Sequence, residues 1–103
     1  MLTSTNIIAS RRGLRAMNLH WGIWDMGDTS LVAMPIAHIG GTGWGVVGLL
    51  AGITGIVTRE FDPTRVIQHL SQDGIAKLFM VPAALQFVVR LPGAREANYS
   101  KLR

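Results

Sequence analysis

The sequence predicts an α/β fold in which three or so mostly parallel strands alternate with helices. Three observations carry this. Ser30-Leu31-Val32-Ala33-Met34 and residues 75–81 are short apolar runs, and each is closed by a proline, Pro35 or Pro82. A proline has no N–H to give a sheet ladder, so a strand stops where it stands. Between the apolar runs lie stretches of helical length, one opened by Asp62-Pro63. Strand–helix alternation of this kind favours a parallel sheet with right-handed crossovers. With 103 residues the chain is one domain or part of one.

Residues 2–19 read as a helix, with Thr3, Ser4 or Thr5 as N-cap. Ile7, Ile8 and Leu14 recur near one face, and Gly13 weakens the stretch by about 1 kcal/mol relative to alanine. His20 to Asp28 is punctuated by glycine and aspartate and reads as a loop. Its histidine and aspartates match no standard metal spacing, so no metal site is expected there. Trp21 and Trp24 are expected to be packing anchors with their N–H groups near the surface.

The first strand then runs into His38-Ile39-Gly40-Gly41-Thr42-Gly43-Trp44-Gly45, and a helix is expected over 42–53. Residues 55–58 form a second strand. Asp62 caps the next helix with Pro63 at its first position, and Val66, Ile67 and Leu70 mark its buried face. Asp73-Gly74 stops it. The third strand covers 75–81, a helix follows over 83–91, and 94–103 is a short helix or loop. In such sheets ligands bind outside the carboxyl ends of the strands. His38 and the Val81-Pro82-Ala83 corner are therefore expected to face one crevice.

The formal net charge is +4, but the ten basic residues form no run and few aromatics interleave with them. They read as solvated faces, which argues against nucleic-acid binding and leaves peripheral contact with an anionic membrane surface open. No cysteine is present, which excludes disulfides and thiolate metal sites and is compatible with a cytoplasmic location. The N-terminus does not read as a signal peptide. The charge-free run from Thr29 to Thr58, with glycines at 41, 45, 48 and 52, supports a rival reading. A small membrane protein with one glycine-rich transmembrane helix would carry such spacing. Pro35, His38 and the Gly40-Gly41 pair interrupt the run and argue against it.

Pro35 to Gly45 resembles the histidine motif of the AMP-forming acyl-CoA synthetases, in the adenylate-forming superfamily. The resemblance continues through Arg59-Glu60-Phe61-Asp62-Pro63 and Val81-Pro82-Ala83-Ala84-Leu85-Gln86. Order and spacing also match, over nearly the whole chain. Met1-Leu2-Thr3-Ser4-Thr5-Asn6 is a partial match, with Ser4 where histidine is usual, and Asn98 to Arg103 resembles a segment that leads into a further strand.

The resemblance implies that residues 1–103 are part of a larger adenylate-forming N-terminal domain, with no complete second domain. The parent enzyme would activate a fatty or other carboxylic acid with ATP and Mg²⁺ and pass the acyl group to CoA. His38 would orient the acyl group and gate the two half-reactions. Gly40, Gly41, Thr42 and Trp44 would wall the acyl pocket, and Val81, Pro82 and Ala83 its opposite side. Ordinary core packing is the alternative for these wall residues. The sequence contains no phosphate loop of the G-x-x-x-x-G-K-[ST] type or any equivalent. The chain alone is therefore expected to be inactive, to bind none of ATP, Mg²⁺ or CoA, and to need the remainder of the synthetase. Part of a sheet leaves open edges, so poor solubility is expected.

Overall fold

The computed structural model describes residues 3–103. Met1 and Leu2, and with them the expected helix start at position 2, lie outside the described residues. Helix α1 spans Ser4–Ala16 with Thr3 as N-cap, whose N–H donates to Asn6 Oδ1. No residue of α1 is buried. Arg11 ties it to the helix at Ile39–Ala51 by donating to the Leu50 carbonyl.

The first strand, β1, is Thr29–Val32, followed by α2 at Ile39–Ala51, β2 at Thr54–Val57, α3 at Pro63–Gln72, β3 at Lys77–Leu78 and α4 at Pro82–Arg90. The three strands are parallel in the order β2–β1–β3. Ser30 lies opposite Gly55 on one side and Lys77 on the other. The fold class expected from sequence is the one observed.

Successive side chains on a strand point to opposite faces. On one face, Leu31 and Ala33 pack with Ile56 and Leu78 against Val66, Leu70 and Val88 of α3 and α4. On the other, Ser30, Val32, Gly55 and Val57 face α2 across a groove. The amphipathic α3 shows why this division arises: Val66 and Leu70 are its buried residues, one turn apart.

Several expectations are corrected in extent. The first strand leaves the ladder at Val32, although Ala33 and Met34 remain buried. The third strand is two residues long, not seven, because only Lys77 and Leu78 find ladder partners on β1. Pro82 does not close that strand; it stands at the start of α4, where its missing N–H costs nothing. His20–Gly22 forms a 3-10 turn within the expected loop, and Pro92–Ala94 forms another.

The glycine-rich stretch is divided among a strand, a turn, the thirteen-residue α2 and a second strand. Among the described residues no helix is long and apolar enough to cross a membrane. This removes the transmembrane-helix reading. The glycines are used otherwise. A Cβ on Gly41 would collide with the carbonyl oxygens of Pro35 and Met34, and Gly52 ends α2 at φ +75°.

Candidate functional site

The strand order places a topological switch between β1 and β3, since the chain leaves β1 for β2 on one side and returns to β3 on the other. The crevice at the carboxyl ends of two such strands is where open α/β sheets bind ligands. The turn 33–38 leaves β1 there, and residues 79–81 leave β3 beside it.

His38 occupies the N-cap of α2. Its φ and ψ are −107° and 148°, and its Nδ1 accepts from the Gly40 N–H at 3.0 Å. Helix α2 thus begins at Ile39, three residues before the expected start, because the histidine satisfies one of the helix's free N–H groups. Accepting through Nδ1 leaves the neutral ring's proton on Nε2. The imidazole is exposed. Thr42 Oγ1 donates back to the Ile36 carbonyl, and the His38 N–H donates to that of Pro35. These bonds fix the turn that presents the ring.

Two cavities adjoin this turn. The first is a groove of about 230 Å³ between α2 and the β1–β2 face. Gly41, Thr42 and Trp44 line its end nearest the His38 turn. Ser30, Gly55 and Gly48 lie at the other end, since α2 runs back along β1. The groove exists because glycines face it: a Cβ on Gly55 would meet nothing within 4 Å. The second cavity, of about 240 Å³, lies over Ile39, Gly40, Trp44 and Phe79.

Of the residues singled out in the sequence, Gly41, Thr42 and Trp44 share the groove, and Gly40 and Trp44 share the second cavity. His38 is at the turn above them. Val81, Pro82 and Ala83 are exposed at the start of α4 and line neither cavity. The residue that reaches across the crevice is Phe79, which lay within the third strand expected over 75–81 and was not singled out as a site residue. Its Cε1 lies 2.9 Å from where a Gly40 Cβ would be, and its ring sits 5.8 Å from that of Trp44. Trp24 continues the cluster, with its ring 4.6 Å from Trp44. The signal for Phe79 was its place at the end of an apolar run, two residues before the corner.

The polar inventory is small. The indole Nε1 atoms of Trp24 and Trp44 and the Ser30 hydroxyl are buried without a hydrogen-bond partner. For Trp24 this corrects the expectation of an N–H near the surface. Among the described residues, no group of three or more His, Asp and Glu side chains could hold a metal ion. With no phosphate loop in the sequence either, the residues present do not fit Mg²⁺ or an ATP triphosphate.

At the opposite, amino ends of the strands, Arg103 bridges Asp25 and Asp28, and its N–H donates to the Ala76 carbonyl. Burial alone would push the Asp28 carboxyl up. The Asp25 N–H and the Arg103 guanidinium outweigh it and hold the group below the ordinary range. Lys77 is 2% exposed and donates to the His20 carbonyl at 3.1 Å. Its ammonium is pushed down by burial first and by Arg103 second. This cluster closes the base of the sheet, away from the His38 crevice.

The family model described as "AMP-binding enzyme" matches residues 1–103. The chain is 30% identical over 103 residues to the fatty acid–[acyl-carrier-protein] ligase ScoC of Streptomyces coeruleorubidus, covering all of this chain and 20% of that protein. It is 30% identical over 91 residues to the medium/long-chain-fatty-acid–[acyl-carrier-protein] ligase FadD10 of Mycobacterium tuberculosis, covering 87% of this chain and 16% of that one. In structure it resembles the N-terminal domain of FACL13 from Mycobacterium tuberculosis, with a TM-score of 0.77 and 22% identity over 94% of this chain and 24% of that one. The chain thus spans a fifth or less of the length of these two ligases.

Proposed function

The chain belongs to the AMP-binding enzyme family, and from that membership we propose that it supplies the acyl-facing part of an ATP-dependent ligase. The ligase joins a fatty acid, or another carboxylic acid, to a thiol through an acyl-adenylate. ATP and Mg²⁺ would be held by residues outside this chain, since those present do not fit them. A cysteine-free chain suits work in a reducing cytoplasm.

The observation that supports this reading is the groove that starts beneath the His38 turn and runs along β1, with Gly41, Thr42 and Trp44 at its mouth. A largely apolar slot beside a turn that presents an imidazole suits a carboxylic acid with an apolar tail. His38 Nε2–H would donate to a carboxylate oxygen while Nδ1 stays engaged by the Gly40 N–H. The ring is a positioning group: it holds the carboxylate for attack on the phosphoryl donor. Its exposed place on a turn lets it swing aside before thiol transfer. Gly40 leaves space that Phe79 now covers, so these two would set the width of the second cavity beside the turn. Val81, Pro82 and Ala83 would bound the crevice from the α4 side.

The thiol is that of CoA in the first reading. An acyl carrier protein is the second, favoured by the named activities of ScoC and FadD10. The test is fatty-acid-dependent exchange of pyrophosphate into ATP by the whole ligase carrying these residues. Exchange is expected, and His38→Ala should reduce it about 10- to 100-fold, the value of one hydrogen bond to a charged group. Exchange unaffected by His38→Ala would remove the histidine from the mechanism. No exchange with any fatty acid would remove the activity. Offering CoA and a carrier protein in turn then separates the two acceptors by product.

A further inference from the structure

Strand β2 forms one edge of the sheet, and it carries none of the devices that keep an edge from pairing. Residues Thr54–Val57 include no lysine and no proline, and their register with Thr29–Val32 runs unbroken, so there is no bulge. No charged residue stands between Thr29 and Thr58. The other edge, β3, offers two residues to a partner where β2 offers four. Thr54 and Thr58 donate their N–H groups to the Asp28 and Val32 carbonyls on the β1 side. Backbone groups alternate in direction along a strand, so the N–H and C=O of Gly55 and Val57 point away from β1. Among the described residues no turn or loop residue bonds to them. Thr54, Gly55 and Val57 are exposed, and Val57 and Leu49 leave apolar surface along this flank of the groove.

We propose that β2 is an internal strand in the whole ligase: an extended, uncharged segment from the remainder of the same domain pairs with its free edge through Gly55 and Val57. The length of chain outside these residues argues for that occupant. The chain covers 24% of the N-terminal domain of FACL13, which leaves about three-quarters of a domain of that kind to pack around this sheet. Strand addition suits the edge, since main-chain bonds supply the affinity and alternate side chains the fit. The added strand is uncharged because a charge laid beside Val57 and Leu49 would find no counter-ion in the run from Thr29 to Thr58. It would lie about 4.8 Å from β2, so its side chains at alternate positions extend the floor of the groove beyond Gly55 and Val57. The inference rests on the chain being part of a longer ligase, and not on what the groove binds.

The test is hydrogen exchange of the whole ligase, read amide by amide by mass spectrometry with electron-transfer fragmentation. The Gly55 and Val57 amides are expected to exchange at least about 100-fold more slowly than in an unstructured peptide of the same sequence, as amides of internal strands do. Gly55→Pro removes one outward donor, a change that an unpaired edge tolerates. It should restore fast exchange at Val57 while Leu31 of β1 stays protected. Fast exchange at Gly55 and Val57 in the unaltered ligase would overturn the proposal, whether or not the variant folds. So would protection of only one of the two, which a single cap would give, or protection at Val57 that survives Gly55→Pro. Protection lost on dilution would assign the edge to a second copy of this chain and overturn the proposal as well. Pyrophosphate exchange by the same ligase is read separately: its absence removes the acyl reading and leaves the amide pattern standing.

Discussion

At Gly41 one carbon atom decides whether α2 can lie on the turn that follows β1. A Cβ there would meet two backbone carbonyls, which cannot rotate away as a side chain does. Gly41→Ala should therefore destabilise the chain by about 1–3 kcal/mol, the usual cost of overpacking. Gly40→Ala should cost less, because the obstacle is the partly exposed Phe79 ring, which can turn. Urea midpoints of the two variants give the comparison, and equal costs would refute it. His38 has a local role besides the proposed chemical one, as N-cap of α2. Asparagine caps a helix well, whereas alanine loses about 1 kcal/mol. His38→Asn should thus keep the stability that His38→Ala loses, yet lose as much pyrophosphate exchange. If the asparagine variant exchanged normally, the imidazole would be serving as a cap alone.

Among the elements, α3 was the most legible from sequence, and α2 and β3 the least. Asp62 accepts from the N–H groups of Thr64 and Arg65 at 2.8 and 3.2 Å, with Pro63 next to it, as the dipeptide implied. Asp62→Ala should cost about 1 kcal/mol, read from thermal or urea unfolding. No change in the midpoint would mean that water replaces the cap without loss. Helix α2 started early because capping by a histidine side chain is not a standard start signal. Strand β3 shrank because apolar composition licenses a strand but a ladder needs a partner. Beyond Leu78 the chain leaves β1 to reach the crevice, and this departure brings Phe79 onto Gly40 and Trp44.

For the whole molecule, the two ends of the sheet have different chemistry. The carboxyl end carries the His38 turn and the aromatic cluster. The amino end is held by Asp25, Asp28, Lys77 and Arg103. The Asp28 carboxyl titrates below its unfolded value, so the folded state favours its charged form. That stability is present above the unfolded pKa of about 3.9 and is lost as pH falls through the folded value. The urea midpoint should therefore fall on acidification below about pH 4, and less steeply in Asp28→Asn. Parallel acid curves for the two proteins would show that the cluster contributes nothing. Leu49, Val57, Leu85, Phe87 and Val89 are exposed, and β2 is an open edge. Exposed apolar surface and unpaired strands favour association. Light scattering should show a mass that rises with concentration, and a constant monomer mass would contradict this.

By itself, the sequence determined the α/β class, the order of the elements, the cap at Asp62, and the histidine motif with its family resemblance, and it narrowed the first helix's cap to Thr3, Ser4 or Thr5. These rest on local rules: proline's missing N–H, helical periodicity, and motif order along the chain. Only the tertiary structure decided which residues meet. It paired Ser30 with Gly55, and so opened a groove where a run of glycines had also fitted a membrane helix. It brought Phe79, forty-one positions after His38, into contact range of the Gly40 site, and it left Val81, Pro82 and Ala83 outside both cavities. Such pairings depend on strand register and crossover path, which are set by the burial of all the elements together and leave no mark at any single position.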